Sequence, residues 1–126
     1  MHVVDFHESH RVNTIEELES ALMKRYDGDK NGFWLLHNDQ PYPTLGVFVR
    51  GDLAYLSFIP CEYDAGFRSL AVTSPGPNVA FSISEHAADD IEVPGDAVVP
   101  FADAIRAAKE FFASNELPQC IGWFRL

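Results

Sequence analysis

The chain has 126 residues, 47% of them hydrophobic, with ten Phe, four Tyr and two Trp. That is enough apolar area for one domain over residues 1–126 and argues against disorder. Nineteen Asp and Glu oppose nine Lys and Arg, a formal net charge of −10. Phosphate backbones and anionic membrane surfaces repel such a chain, so direct nucleic-acid or membrane binding is disfavoured and a basic protein partner is favoured.

The first expected element is a helix over residues 14–26. Thr14 and Glu17 form a capping box, and Ile15, Leu18, Ala21, Leu22 and Tyr26 share one face at helical spacing. Asp27-Gly28 stops it. Strands follow at 33–37, 44–50 and 53–59, the last two joined by a Gly51-Asp52 turn. A turn is expected over residues 38–43. Pro60 to Gly66 reads as a loop, 67–72 as a strand, 74–78 as a turn and 79–84 as a half-exposed strand. Residues 85–96 are acidic and irregular. A second helix over 101–113 follows Pro100, with Ala102, Ile105, Ala108, Lys109 and Phe112 on its inner side and Phe101, Ala104 and Phe111 alongside. Asn115 and Pro118 end it, and residues 120–126 close the chain as a strand. This order lacks a regular strand-helix alternation. It predicts an α+β fold, mainly antiparallel, with two principal helices packed on the sheet.

Motifs for chemistry are weak. His7-Glu8-Ser9-His10 places two histidines three apart without an evident third ligand, so it reads as a solvated segment. His37 and His86 are isolated. Asp27-Gly28-Asp29-Lys30-Asn31-Gly32 copies the first half of an EF-hand loop, but Asn38 stands where the bidentate Glu belongs. It reads as a polar reversal between helix and sheet, with calcium binding as the sharper alternative. Cys61 and Cys120 have no pairing motif and read as buried or incidental thiols of a reducing compartment. The start has no basic region before an apolar run. No apolar run approaches the roughly 18 residues that span a bilayer, so a cytoplasmic location is expected.

The acidic stretch is a different signal. Glu85, Asp89, Asp90, Glu92 and Asp96 fall in a segment without Lys or Arg. Such a run is a solvated loop or a negative surface that fills a basic cleft. Glu62-Tyr63-Asp64 adds an aromatic of the kind common at binding hot spots. These eight residues are the candidate partner-binding set, and no catalytic or metal set is expected.

A larger pattern joins these features. The strand pair from Tyr42 to Val49 and from Asp52 to Phe58 leads to a helix carrying Ala107-Ala108-Lys109-Glu110-Phe111-Phe112. The chain closes on Leu117-Pro118-Gln119-Cys120-Ile121-Gly122-Trp123. Over residues 32–126 this resembles immunity-protein family one of bacterial polymorphic toxin systems. The resemblance implies a protein that neutralises a secreted toxin by occluding its active site, with no cofactor and no activity of its own. The implied partner is a cognate toxin with a basic active-site cleft, a cytosine deaminase or a nuclease. Trp123 fits the family's C-terminal aromatic position and reads as core packing. The residues also admit a stand-alone adaptor or regulatory module, modulated by calcium through Asp27, Asp29 and Asn31. A small enzyme built on Cys or His is a further alternative.

Overall fold

A computed structural model describes residues 1–37, 40–71 and 76–126. The expected turns at 38–43 and 74–78, and the end of the strand at 67–72, lie partly outside these residues. The described elements are β1 (His2–Val4), β2 (Ser9–Arg11), α1 (Ile15–Leu22), β3 (Lys30–Leu36), β4 (Thr44–Arg50), β5 (Leu53–Ile59) and β6 (Phe67–Leu70). They continue as β7 (Val79–Phe81), β8 (Ile91–Val93), β9 (Val99–Pro100), α2 (Phe101–Ser114) and β10 (Gly122–Arg125). The main sheet has the order β10-β6-β5-β4-β3-β1-β2, with β9 paired to one end of β5. Its pairings are antiparallel, so the expected α+β class holds.

Period-two alternation decides the two faces. Phe33, Leu35, Leu45, Val47, Val49, Ala54, Leu56 and Phe58 point one way and form the principal core with α1 and α2. In α1, Leu18, Ala21 and Leu22 are buried, and the Thr14 hydroxyl accepts the Glu17 backbone N–H at 3.1 Å. The reciprocal half of the capping box is absent, because the Glu17 carboxylate takes the Thr14 hydroxyl instead. The helix stops at Leu22, four residues short of expectation. The Arg25 guanidinium caps the Leu22 carbonyl at 2.7 Å, while Tyr26 bridges to Lys30 and so leaves the helical path.

The inner side of α2 is Ala104, Ala107, Ala108 and Phe111, at the spacing of one helical stripe. Ala102 is exposed, which corrects the expected inner face by a fraction of a turn. The three alanines let the helix lie close, and Phe111 fills the gap beside Phe58, 6.1 Å between rings. Asn115 ends the helix in a left-handed conformation, with φ 57°, as its small polar side chain allows.

The opposite face carries the main surprise. Phe48, Phe81, Val93 and Ala97 form a second cluster with Trp34 and Tyr55 packed on it. The β7–β8 hairpin, with the turns beside it, lies over this face as a strap. Helices therefore cover one face of the sheet and a hairpin covers part of the other. The β1–β2 hairpin was also unforeseen. Its strands are three residues each, and Ser9 and His10 belong to one of them rather than to a solvated tail.

Candidate functional site

One register row crosses most of the second face. Val4, Trp34, Gly46, Ser57, Arg68 and Phe124 stand opposite one another on six successive strands. The neighbouring row on one side, Gly32, Phe48 and Tyr55, is roofed by the strap through Phe81. The row on the other side, His2, Leu36, Thr44 and Ile59, is not. Val4, Leu36, Ile59 and Phe124 belong to neither core cluster, and Phe124 is 48% exposed. The result is a half-exposed ledge of apolar side chains beside an acidic strap.

Small residues make this face possible. A Cβ on Gly46 would lie 2.6 Å from the Trp34 ring, and one on Gly32 would lie 2.7 Å from the Phe6 ring. Each ring occupies the space that a side chain at the glycine would need. Trp34 then meets Phe48 edge-on at 5.2 Å, and Phe48 stacks near Tyr55 at 6.1 Å.

The strap is fastened at both ends. At its root, the Ala71 amide donates to the Asp96 carbonyl at 2.7 Å, and the buried Ser69 hydroxyl donates to the Ala97 carbonyl at 2.6 Å. Arg68 pairs with the Asp96 carboxylate at 3.3 Å and stacks over Phe124. Midway, Arg50 donates to the Ala80 carbonyl. At the tip, Glu85 meets His7 of the β1–β2 turn at 3.1 Å.

This places the expected acids. Glu85, Asp89, Asp90, Glu92 and Asp96 all lie on the strap, and the first four are exposed. The Ser84 hydroxyl donates to Asp89, the Ser82 hydroxyl to Asp90 and the Asn78 amide to Glu92. These bonds orient the carboxylates while leaving them open to solvent. Asp96 is half-buried, and its carboxylate braces the root through Arg68.

The Glu62-Tyr63-Asp64 loop lies between β5 and β6. Tyr63 is 98% exposed, in a left-handed conformation at φ 65° that a bulky residue adopts only under constraint. The constraint is visible. Asp64 accepts the Gly66 amide at 2.7 Å and pairs with Arg125 at 2.8 Å. The Arg125 contact, then the Gly66 N–H, hold its carboxyl below the usual carboxylate range. A Cβ on Gly66 would meet the Phe58 carbonyl oxygen at 2.2 Å, so only glycine fits where the loop turns. Asp64 is thus internal bracing, whereas Glu62 and Tyr63 face outward.

The remaining motifs resolve into structural roles. Asn31 is fully buried. Its amide donates to the Lys24 carbonyl, and its oxygen accepts the Gly32 amide. It is therefore occupied as a packing group rather than offered as a loop ligand, and Lys30 already begins a strand. Asn38 lies outside the described residues. His37 contacts the Phe111 carbonyl at 2.9 Å. Cys61 is exposed, not buried, and Cys120 is half-buried, where burial pushes its thiol pKa up. The Trp123 indole donates to the Pro118 carbonyl at 2.7 Å while its ring packs on the principal core, as expected of a packing residue. No helix among the described residues is long and apolar enough to cross a membrane.

Asp5 was missed by sequence reading. It is 8% exposed, and its Oδ1 accepts the His7 and Glu8 amides and the Tyr26 hydroxyl at 2.8 to 2.9 Å. Burial alone would raise its pKa, but these hydrogen bonds outweigh it and hold the carboxyl below its ordinary value. Its Oδ2 has no hydrogen-bond partner among the described residues.

Comparison with known proteins gives this architecture a context. A family model described as Immunity protein Imm1 matches residues 7–125. A double-stranded DNA deaminase immunity protein of Burkholderia cenocepacia (strain H111) is 25% identical over 126 residues, covering the whole of both chains.

Proposed function

This chain belongs to the Imm1 immunity-protein family, and from that premise we propose that it binds a cognate nucleic-acid deaminase toxin and occludes its active site. The relative's own designation, an immunity protein for a double-stranded DNA deaminase, supports that choice of toxin chemistry. An enzyme that holds nucleic acid needs a positive groove. The acidic strap is the observation that carries the reading. Glu85, Asp89, Asp90 and Glu92 are exposed, oriented, and on a segment without Lys or Arg. The toxin meets these carboxylates and the outward residues Glu62 and Tyr63, while Asp96 and Asp64 hold the two contact elements in place. The partner is the toxin rather than nucleic acid or a membrane, and the protein itself catalyses nothing. It acts in the cytoplasm of the cell that makes both.

The test is inhibition. An equimolar amount of this protein should abolish deamination of a DNA duplex by the co-encoded toxin, with a stable complex on gel filtration. Undiminished deamination with excess protein would overturn the proposal. Asp89→Lys with Glu92→Lys should lower the association rate at low salt and leave the fold intact. These two acids are preferred over Asp90, whose carboxylate also satisfies the buried Ser82 hydroxyl.

A further inference from the structure

The two edges of the main sheet differ. At one edge, β2 carries Ser9, His10 and Arg11, a short polar strand of the kind that keeps sheets from pairing further. At the other, β10 pairs only with β6 among the described residues. The Leu126 amide donates to the Gly66 carbonyl at 2.9 Å, so the ladder bonds fall on Leu126, Phe124 and Gly122. The amides and carbonyls of Trp123 and Arg125 therefore point away from β6, and no described backbone group outside the ladder bonds them. This edge is also apolar. Tyr63, Phe124 and Leu126, three of the six exposed large hydrophobic residues described, lie on it or on the loop bonded to it. The one charge of β10, Arg125, is paired with Asp64. At the start of β10 is a cavity of about 130 Å³ whose walls include Leu70, Val98, Val99, Cys120 and Ile121. It approaches the roughly 150 Å³ that holds a benzene ring.

Resting on the immunity reading, we infer that an extended segment of the toxin adds to this sheet as a strand beside β10, with an apolar side chain in that cavity. Main-chain hydrogen bonds to Trp123 and Arg125 supply affinity, and the cavity supplies selectivity. β10 lies between the two elements assigned to toxin contact. Arg125 and the Leu126 amide tie it to the Glu62-Tyr63-Asp64 loop and to Gly66. Phe124 carries the Arg68 guanidinium, which holds Asp96 at the strap's root. The edge is thus continuous with both. A second copy of this chain fits less well. It brings another net charge of −10, and a four-residue strand alone covers far less than the roughly 1,200 Å² of a stable interface. The toxin gains the strand in addition to its contacts with loop and strap.

Amide exchange of the whole chain, read residue by residue in NMR spectra, tests this with a catalytically disabled toxin. In the free protein the Trp123 and Arg125 amides should exchange much faster than those of Phe124 and Leu126. In the complex they should slow at least about tenfold, and the Leu70 and Ile121 methyl signals should shift. Arg125→Pro removes an outward N–H that the free fold does not use, and an edge strand tolerates proline there. It should melt like Arg125→Ala, which loses the same ion pair, yet weaken toxin binding by roughly a further three- to tenfold. Unchanged exchange at Trp123 and Arg125 in a stable, inhibited complex would overturn the inference while the immunity reading stands. Unmoved methyls would overturn it too. Slowed exchange that grows with protein concentration in the absence of toxin, with a dimer in sedimentation, would assign the edge to a second copy instead. If wild-type protein binds no toxin, the immunity reading fails and this inference falls with it.

Discussion

The Trp34 ring lies across Gly46, so close that a single added carbon would stand 2.6 Å from it. Trp34 has the sheet backbone below, Phe48 at its side and the strap tip nearby. To yield, it would have to give up its contact with Phe48 and turn into the space beside the strap tip. Gly46→Ala should therefore destabilise the protein by about 1–3 kcal/mol, the usual range for overpacking. Urea unfolding followed by circular dichroism measures this. A fluorescence change in a Trp123→Phe background would locate the disturbance at Trp34.

Ser69 serves the strap's root in two directions. Its hydroxyl donates to the Ala97 carbonyl and accepts the Leu56 amide at 3.0 Å, all in a fully buried position. Ser69→Ala leaves both backbone groups without this partner, at about 1–3 kcal/mol for each buried group left unsatisfied. Amide exchange should then rise at Ala97 and in β8 more than in β3 or β4. Uniform acceleration would show that the root is not a local fastening.

Tyr63 is held out in solvent by a loop that folds without it. Tyr63→Ala should leave the melting temperature nearly unchanged, because no buried contact is lost and a smaller residue suffers no more at φ 65°. Its binding to the toxin should fall by about 2 kcal/mol or more, the mark of an interface hot spot. Calorimetric titration tests this, and unchanged affinity would confine the contact to the strap.

Glu110 gives a pH test with a definite sign. Its carboxylate accepts the Gln119 amide at 2.6 Å and the Cys120 amide at 3.2 Å. The Gln119 bond, most of all, holds its pKa below the ordinary glutamate value. A depressed folded pKa stabilises above the unfolded value, about 4.3 for Glu, and that stabilisation is lost as pH falls through the folded value. Glu110→Gln should melt lower than wild type at neutral pH, and the gap should close below about pH 4. A gap constant with pH would refute this role.

The long strands and both helices were legible because each carries its own signal. β4 and β5 are rich in β-forming residues around a turn dipeptide, and α2 repeats apolar residues over fourteen positions. The extent of α1 was not legible, since its end is set by Arg25 and by the Tyr26–Lys30 bridge. Strands of two or three residues, such as β1, β2, β8 and β9, are too short to show a period. The acidic residues could be named from the sequence, but not the face they border. That row takes one residue from each of six strands, with no local pattern. The usable hint was size: Gly46 and Ser57 are small residues in the middle of otherwise bulky strands.

The strap's layout separates two sets of side chains. Its inward residues, Phe81, Val93 and Ala97, belong to the second cluster, while Ala80, Glu85, Asp89 and Glu92 face solvent. The outward set can change without disturbing the helix-covered core. If the toxin meets the strap as proposed, a lineage facing an altered toxin would re-key its inhibitor by drift in a few surface codons, with the frame that presents them left as it was.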